Sequence, residues 1–195
     1  MRIGIDIDDT ITNSWECLIP YYSKNFNIDE EVLHKSKPYY SSVSHLMTLD
    51  EYYKIMLPIY DKVIPTVSIK EDVKETIDKL FDLGCHVVFI TSRGVDHTDP
   101  YKDSIDYLNK YHIKFDKVRT NSRDKAKVCL EENIDIFIDD SVRHCEEVSN
   151  AGIETLLFET YYNKDYDKVK HMRDWNEIYE YLRKRCQDGK WSHFN

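Results

Sequence analysis

Two hydrophobic periods alternate along this chain. Arg2 to Ile7, His86 to Thr91 (HVVFIT) and Ile134 to Asp139 (IDIFID) are short apolar runs, rich in β-branched and aromatic residues, as strands buried on both faces require; KVRT and ETLLFE are weaker versions. Between them the period lengthens to that of a helix. Ile69, Val73, Ile77, Leu80 and Phe81 share one helical face, Ser68 and Glu71 have capping-box spacing, and Gly84 supplies the stop. Asp99-Pro100 opens a second helix with Tyr101, Ile105 and Leu108 inward, Ser122 caps a third, Ser141 caps a fourth ending at Gly152, and Trp175 to Cys186 forms the last.

Strands alternating with helices at these lengths predict an α/β fold: a doubly wound, mostly parallel sheet with right-handed crossovers. Residues 13 to 65 break the alternation. SWECLIPYYSKNF and the segment from Leu49 to Val63, opened by a Thr48 and Glu51 capping box, read as helices with no strand between them. The expected organisation is therefore a core of residues 1–12 and 66–195 carrying a small helical insert, residues 13–65, after the first strand. That insert is rich in aromatics (Trp15, Tyr21, Tyr22, Tyr39, Tyr40, Tyr52, Tyr53, Tyr60), suited to packing or to facing a ligand.

Composition narrows the functional classes. The 195 residues, 41% apolar and 32% charged, suit one globular domain without low-complexity segments. No apolar run approaches the ~18–20 residues of a membrane span, and Arg2 leads directly into strand-like sequence rather than a signal-peptide core, so a cytoplasmic protein is expected. A net charge of −9 disfavours nucleic-acid polymers and anionic membranes as partners but leaves room for a small anionic ligand if a local cation is supplied. Cys17, Cys85, Cys129, Cys145 and Cys186 form no CxxC, which argues against a zinc site or disulfide framework and for reduced thiols, mostly in the core. His45, His97 and His144 lack metal-ligand spacing, and the tail after Cys186 carries only Trp191 and Phe194 as candidate docking groups.

The candidate chemistry lies at the strand ends. Parallel strands would bring Asp6, Asp8 and Asp9 of DIDDT, Thr91 to Arg93 of TSR, and Asp139 and Asp140 of DDS to one edge, where doubly wound sheets bind ligands. Like charges so close demand a cation or raised pKa values, and an oxygen-only set suits Mg²⁺. Thr91 and Ser92 offer hydroxyl and N–H donors for phosphate oxygens, with Lys125 or Lys127 adding positive charge. Arg93 either reaches substrate or pairs with a nearby acid. Together these parts describe a phosphoryl-transfer site.

Asp6-Ile7-Asp8-Asp9-Thr10 after a strand, VVFITSR, SRDKAKVC and IFIDD, in this order, resemble the four motifs of the haloacid dehalogenase (HAD) superfamily, over residues 1 to about 160. The resemblance implies that Asp6 is a nucleophile forming an aspartyl-phosphate and a metal ligand. It implies Asp8 as acid and base, with its backbone carbonyl on the metal. Asp139 becomes the second acidic ligand, and Asp140 a water-mediated ligand or an orienting group. Thr91, Ser92 and Lys125 would hold the phosphoryl group; Lys125 is preferred to Lys127 because it is nearer the helix start. Asp9 occupies a variable position, often Gly, and its role is open. DIDDTITN with the following SW and YY, together with YKDSIDYLNKYHIKFDKV, looks most like the 5'-nucleotidase type C group and bacterial nucleotidases, so the implied substrate is a nucleoside monophosphate and the insert corresponds to a cap. Another small ester such as a sugar phosphate, a receiver-type phosphoacceptor and a HAD-fold scaffold without turnover are the rival readings.

Overall fold

The computed structural model describes residues 1–94 and 99–187; His97, Trp191 and Phe194 lie outside them. Among the described residues six strands form one sheet in the order β3-β2-β1-β4-β5-β6: β1 (Arg2–Ile5), β2 (His86–Ile90), β3 (Lys117–Arg119), β4 (Ile136–Asp139), β5 (Glu154–Phe158) and β6 (Lys170–Met172). All five pairings are parallel. Along each buried strand, side chains alternate between faces. Ile3, Ile5, Val87, Phe89, Ile136 and Ile138 pack with α5 (Val73–Asp82) and α9 (Trp175–Gln187), through Ile77, Leu80, Trp175, Ile178 and Leu182. Val88, Ile90 and Phe137 face Val128, Cys129 and Val148 of α7 (Lys125–Glu131) and α8 (Val142–Asn150) on the other side. Helices on both faces make the sheet doubly wound, and the chain reverses direction across the sheet at β1, placing the crevice at the carboxyl ends of β1, β2 and β4.

Between β1 and α5 lie α1 (Ser14–Phe26), α2 (Glu30–Leu33), α3 (Tyr40–Val43) and α4 (Leu49–Val63), then a 3₁₀ turn at Ile64–Thr66. The expected Thr48–Glu51 capping box forms, each group satisfying the other's backbone N–H. These helices share their own apolar cluster of Trp15, Leu18, Ile19, Tyr22, Tyr52, Met56 and Tyr60. Inside it the hydroxyls of Tyr22, Tyr52 and Tyr60 hydrogen-bond one another, the Tyr22–Tyr60 pair at 2.7 Å. Burial of three phenols is tolerable because each finds a partner among the others.

Several local expectations yield to tertiary structure. Ser68 and Glu71 do not cap a helix. Residues 68–70 are extended and bridge the chain after β1: Asn13 N–H donates to Ser68 O, Lys70 N–H to Ile11 O, and Thr12 pairs with Ile69. Helix α5 consequently begins at Val73, after Asp72 at φ 61°. Asp124, not Ser122, caps α7 by accepting from Lys127 N–H, while Ser122 donates to Arg119 O. Ser141 occupies the N-cap of α8 without a side-chain cap bond. In α6 (Pro100–Lys110), capped by Asp99 as expected, Tyr101 points outward at 56% exposure and Ser104, Tyr107 and Leu108 are buried. Edge strand β6 was not anticipated. All five cysteines are free, with Cys85, Cys129 and Cys145 buried, and no helix among the described residues is long and apolar enough to cross a membrane.

Candidate active site

The strand ends converge on a cavity of about 900 Å³ lined by Asp6, Asp8, Thr91 to Arg93, Lys125, Asp139, Asp140 and several tyrosines. This volume is in the range of small-molecule sites, about 300–1,000 Å³. Asp6 directly follows β1 in place, its N–H bonded to Ile138 O of β4 at 2.9 Å, so the first and fourth strands present Asp6 and Asp139 side by side. The buried Lys125 ammonium, from the first turn of α7, joins them, donating to Asp6 Oδ1 and, at 2.5 Å, to Asp139 Oδ2. Lys127 is exposed. Of the two lysine candidates, only Lys125 contacts the acids.

Asp6, Asp139 and Asp140 each offer a carboxylate oxygen within 4.8 Å of the others, and all three are buried. Three carboxylates against one ammonium leave a net charge of −2 when all are ionised, a surplus that burial makes costly. Burial pushes Asp6 up to about 7; Lys125 pulls it down, and Asp139 and Asp8 raise it further. Burial and the neighbouring carboxylates also raise Asp140 well above its ordinary range. Asp139 is held low, because Lys125 and His144 outweigh its desolvation. The oxygen-only donors and this uncompensated negative charge fit a hard divalent cation.

Asp140 is fixed from three sides: Thr10 Oγ1 donates to Oδ1 at 2.9 Å, Tyr162 hydroxyl to Oδ2 at 2.5 Å, and Asn163 Nδ2 to its carbonyl at 2.8 Å. These bonds hold its carboxylate in the group with Asp6 and Asp139. The motifs do not mark Tyr162 and Asn163, while His144, which lacks metal-ligand spacing in the sequence, brings its Nδ1 to 3.3 Å from Asp139 Oδ2. The tyrosine and asparagine sit in the loop after β5, where nothing local marks them.

The Asp8 carboxylate turns toward Arg93. Arg93 Nε and Nη2 form a two-pronged ion pair with it at 2.8 and 2.7 Å, and Ser14 Oγ donates to it at 2.8 Å. Arg93 is 2% exposed and lies 5.4 Å from the Tyr107 ring, so the guanidinium pairs with an acid in this structure. Thr91 and Ser92 follow β2 in a tight loop: Ser122 N–H donates to Thr91 O at 3.0 Å, and Asn121 N–H to Arg93 O at 2.7 Å. A Cβ on Gly94 would stand 2.2 Å from Asn121 Oδ1, so a larger residue there would displace that side chain. Asp9, at φ 61°, is buried beneath Tyr39.

A family model described as "5' nucleotidase, deoxy (Pyrimidine), cytosolic type C protein" matches residues 1–187. The chain belongs to this 5'-nucleotidase type C family. It is 29% identical over 184 residues to a nucleotidase of Clostridium acetobutylicum, covering 92% of each chain. Among solved structures it resembles a haloacid dehalogenase-like hydrolase of Streptococcus pneumoniae (TM-score 0.72, 16% identity, 93% of this chain and 97% of that one). It also resembles a HAD-superfamily hydrolase of Geobacter sulfurreducens (TM-score 0.63, 17% identity, 93% and 98%). At such identities the structural likeness establishes the HAD-like fold, and the family model establishes a phosphatase of the nucleotidase class.

Proposed function

We propose that this type C nucleotidase is a Mg²⁺-dependent phosphomonoesterase acting through an aspartyl-phosphate on Asp6, with a nucleoside monophosphate as substrate. The observation that carries this reading is the joining of Asp6 and Asp139 by one buried lysine beneath a tyrosine-walled cavity. Asp6, Asp139 and Asp140, with the backbone carbonyl of Asp8, would hold the metal, which when bound neutralises the carboxylates and withdraws charge from the phosphoryl oxygens. Asp6 attacks phosphorus, and the bond from phosphorus to the ester oxygen breaks. Asp8 gives that oxygen its proton, then takes one from the water that attacks phosphorus and frees Asp6. Lys125, Thr91 and Ser92 bind the phosphoryl oxygens. Because Arg93 and Ser14 engage the Asp8 carboxylate, Asp8 must turn or share those bonds when the leaving group arrives.

The helical segment 13–65 acts as the cap that selects the substrate. Tyr39, Tyr40 and Tyr60 on its side of the cavity, and Tyr162 and Tyr166 on the other, support a ligand whose leaving alcohol carries an aromatic base, since a nucleobase stacked on tyrosine gains about 1–3 kcal/mol. The test is phosphate release with Mg²⁺ across 5'- and 3'-nucleotides, deoxynucleotides, sugar phosphates and amino-acid phosphates, with Asp6→Asn as control. Nucleotides should give the highest kcat/KM. A clear preference for sugar phosphates would overturn the substrate assignment, and release no faster than the control would overturn the reaction.

A further inference from the structure

The carboxylate of Asp9, like that of Asp8 in the same DIDDT loop, lies outside the group that could hold a metal, yet Asp9 is 4% exposed and both its oxygens are engaged. Oδ1 accepts from the backbone N–H of Trp15, in the first turn of α1, at 2.8 Å. Oδ2 accepts from the Tyr39 hydroxyl, thirty residues away, at 2.5 Å. One carboxylate therefore ties the loop beside the nucleophile to two separate points of the helical segment. Tyr39 itself stands at φ 56° and ψ −141°, a backbone conformation that side-chain-bearing residues avoid. Ser42 bonds its carbonyl through both N–H, at 3.0 Å, and Oγ, at 2.7 Å. Its ring packs on Trp15, 5.6 Å between centroids, and forms part of the cavity lining. So many restraints on one unfavourable conformer indicate that the position of this ring matters to the molecule.

We infer that Asp9 is a positioning residue, a latch that holds the Tyr39 ring against the cavity and thereby couples the catalytic loop to the wall that selects the substrate. Its consequence for turnover rests on the function proposed above; the latch itself does not. Both variants are mild. Asp9→Gly removes the carboxylate at a backbone conformation glycine adopts freely, and Tyr39→Phe removes one hydroxyl.

Hydrogen exchange of the full chain reads the latch directly. Residues 39–43 should exchange about tenfold faster in either variant, the scale of one charge-assisted hydrogen bond, while the amides of β1 and β4 stay protected and report an intact fold. The Trp15 amide should lose protection in Asp9→Gly alone. With thymidine 5'-monophosphate, KM should rise about tenfold in each variant while kcat changes less than about threefold, and the double variant should be no worse than the more affected single one.

Unchanged exchange at residues 39–43 in both variants would overturn the latch, whatever the enzyme hydrolyses. Faster exchange with kcat falling and KM unmoved would also overturn it, by giving Tyr39 a part in the chemistry. If the wild-type protein releases phosphate from no ester, the proposed function fails, and exchange alone decides whether the latch exists.

Discussion

The carboxyl end of the sheet and the helical segment facing it across the cavity hold their buried polar groups in different ways. At the sheet, charge is set against charge: Asp6 and Asp139 meet on Lys125, and Asp8 meets Arg93. In the helical segment the buried polar atoms are mostly neutral phenols that satisfy one another, in the Tyr22, Tyr52 and Tyr60 cluster. The first arrangement is expensive to bury and chemically reactive; the second is cheaper and presents rings. The difference accords with the proposed division, in which the sheet carries the reaction and the helices the selection. Substitutions in the two regions should therefore fail in different ways.

The largest effect falls on Asp6. Asp6→Asn removes the proposed nucleophile while keeping its shape, and should lower kcat by a factor of about 10³ or more for every phosphate ester, large or small. A loss confined to nucleotides would erase the division between the two regions. Lys125→Met comes next, because it leaves Asp6 and Asp139 buried without their shared ammonium. Denaturant unfolding should show a loss of about 3–5 kcal/mol, as expected when one member of a buried charge cluster is removed, and Mg²⁺ should restore part of it. A variant as stable as the parent without metal would mean that the lysine is not balancing those charges.

A pH effect of intermediate size separates the regions again. Asp6 is raised from 3.8 to about 7, so between those values the folded protein holds a proton that the unfolded chain has released. Its contribution to stability is complete below the lower value and disappears as pH rises through the upper one; Asp140 acts in the same direction. Asp139, held low, has the opposite sign, its contribution being lost only in strong acid. Cation binding requires the carboxylates deprotonated, so the rise in Tm on adding Mg²⁺ should be larger near pH 8 than near pH 5. An equal rise at both would mean that no carboxylate of raised pKa takes part in binding the cation. The smallest effect belongs to the helices: Tyr60→Phe takes one hydroxyl from the phenol cluster and should cost about 1 kcal/mol in equilibrium unfolding, leaving Tyr22 and Tyr52 to pair. A cost as large as that of Lys125→Met would contradict the contrast.

What could be read in the sequence was what local chemistry encodes. Apolar runs marked five of the six strands, and the boundaries of α1 and α4 follow from periodicity and a capping box whose groups lie three residues apart. The acidic and hydroxyl residues of the site could be found because each terminates a strand, and parallel pairing brings strand ends together. What escaped depends on partners distant in the chain. Asp9 and Tyr39 are separated by 30 residues and Thr10 and Asp140 by 130, whereas the pairing of Arg93 with an acid was one of its two expected readings and only its partner, Asp8, 85 residues away, was open. The helix start expected at Ser68 failed for a related reason, since pairing with residues 11–13 satisfies the same backbone groups in an extended conformation.

In the proposed mechanism the sheet end performs its reaction through a covalent bond to Asp6. Acid-quenching the enzyme during turnover of a nucleoside monophosphate with Mg²⁺, then locating any phosphoryl group by peptide mass spectrometry, tests this directly. One phosphoryl group should appear on the peptide containing Asp6, and be absent from Asp6→Asn and from chelator-treated enzyme. Steady phosphate release with no phosphoryl group on that peptide at any quench time would contradict the account.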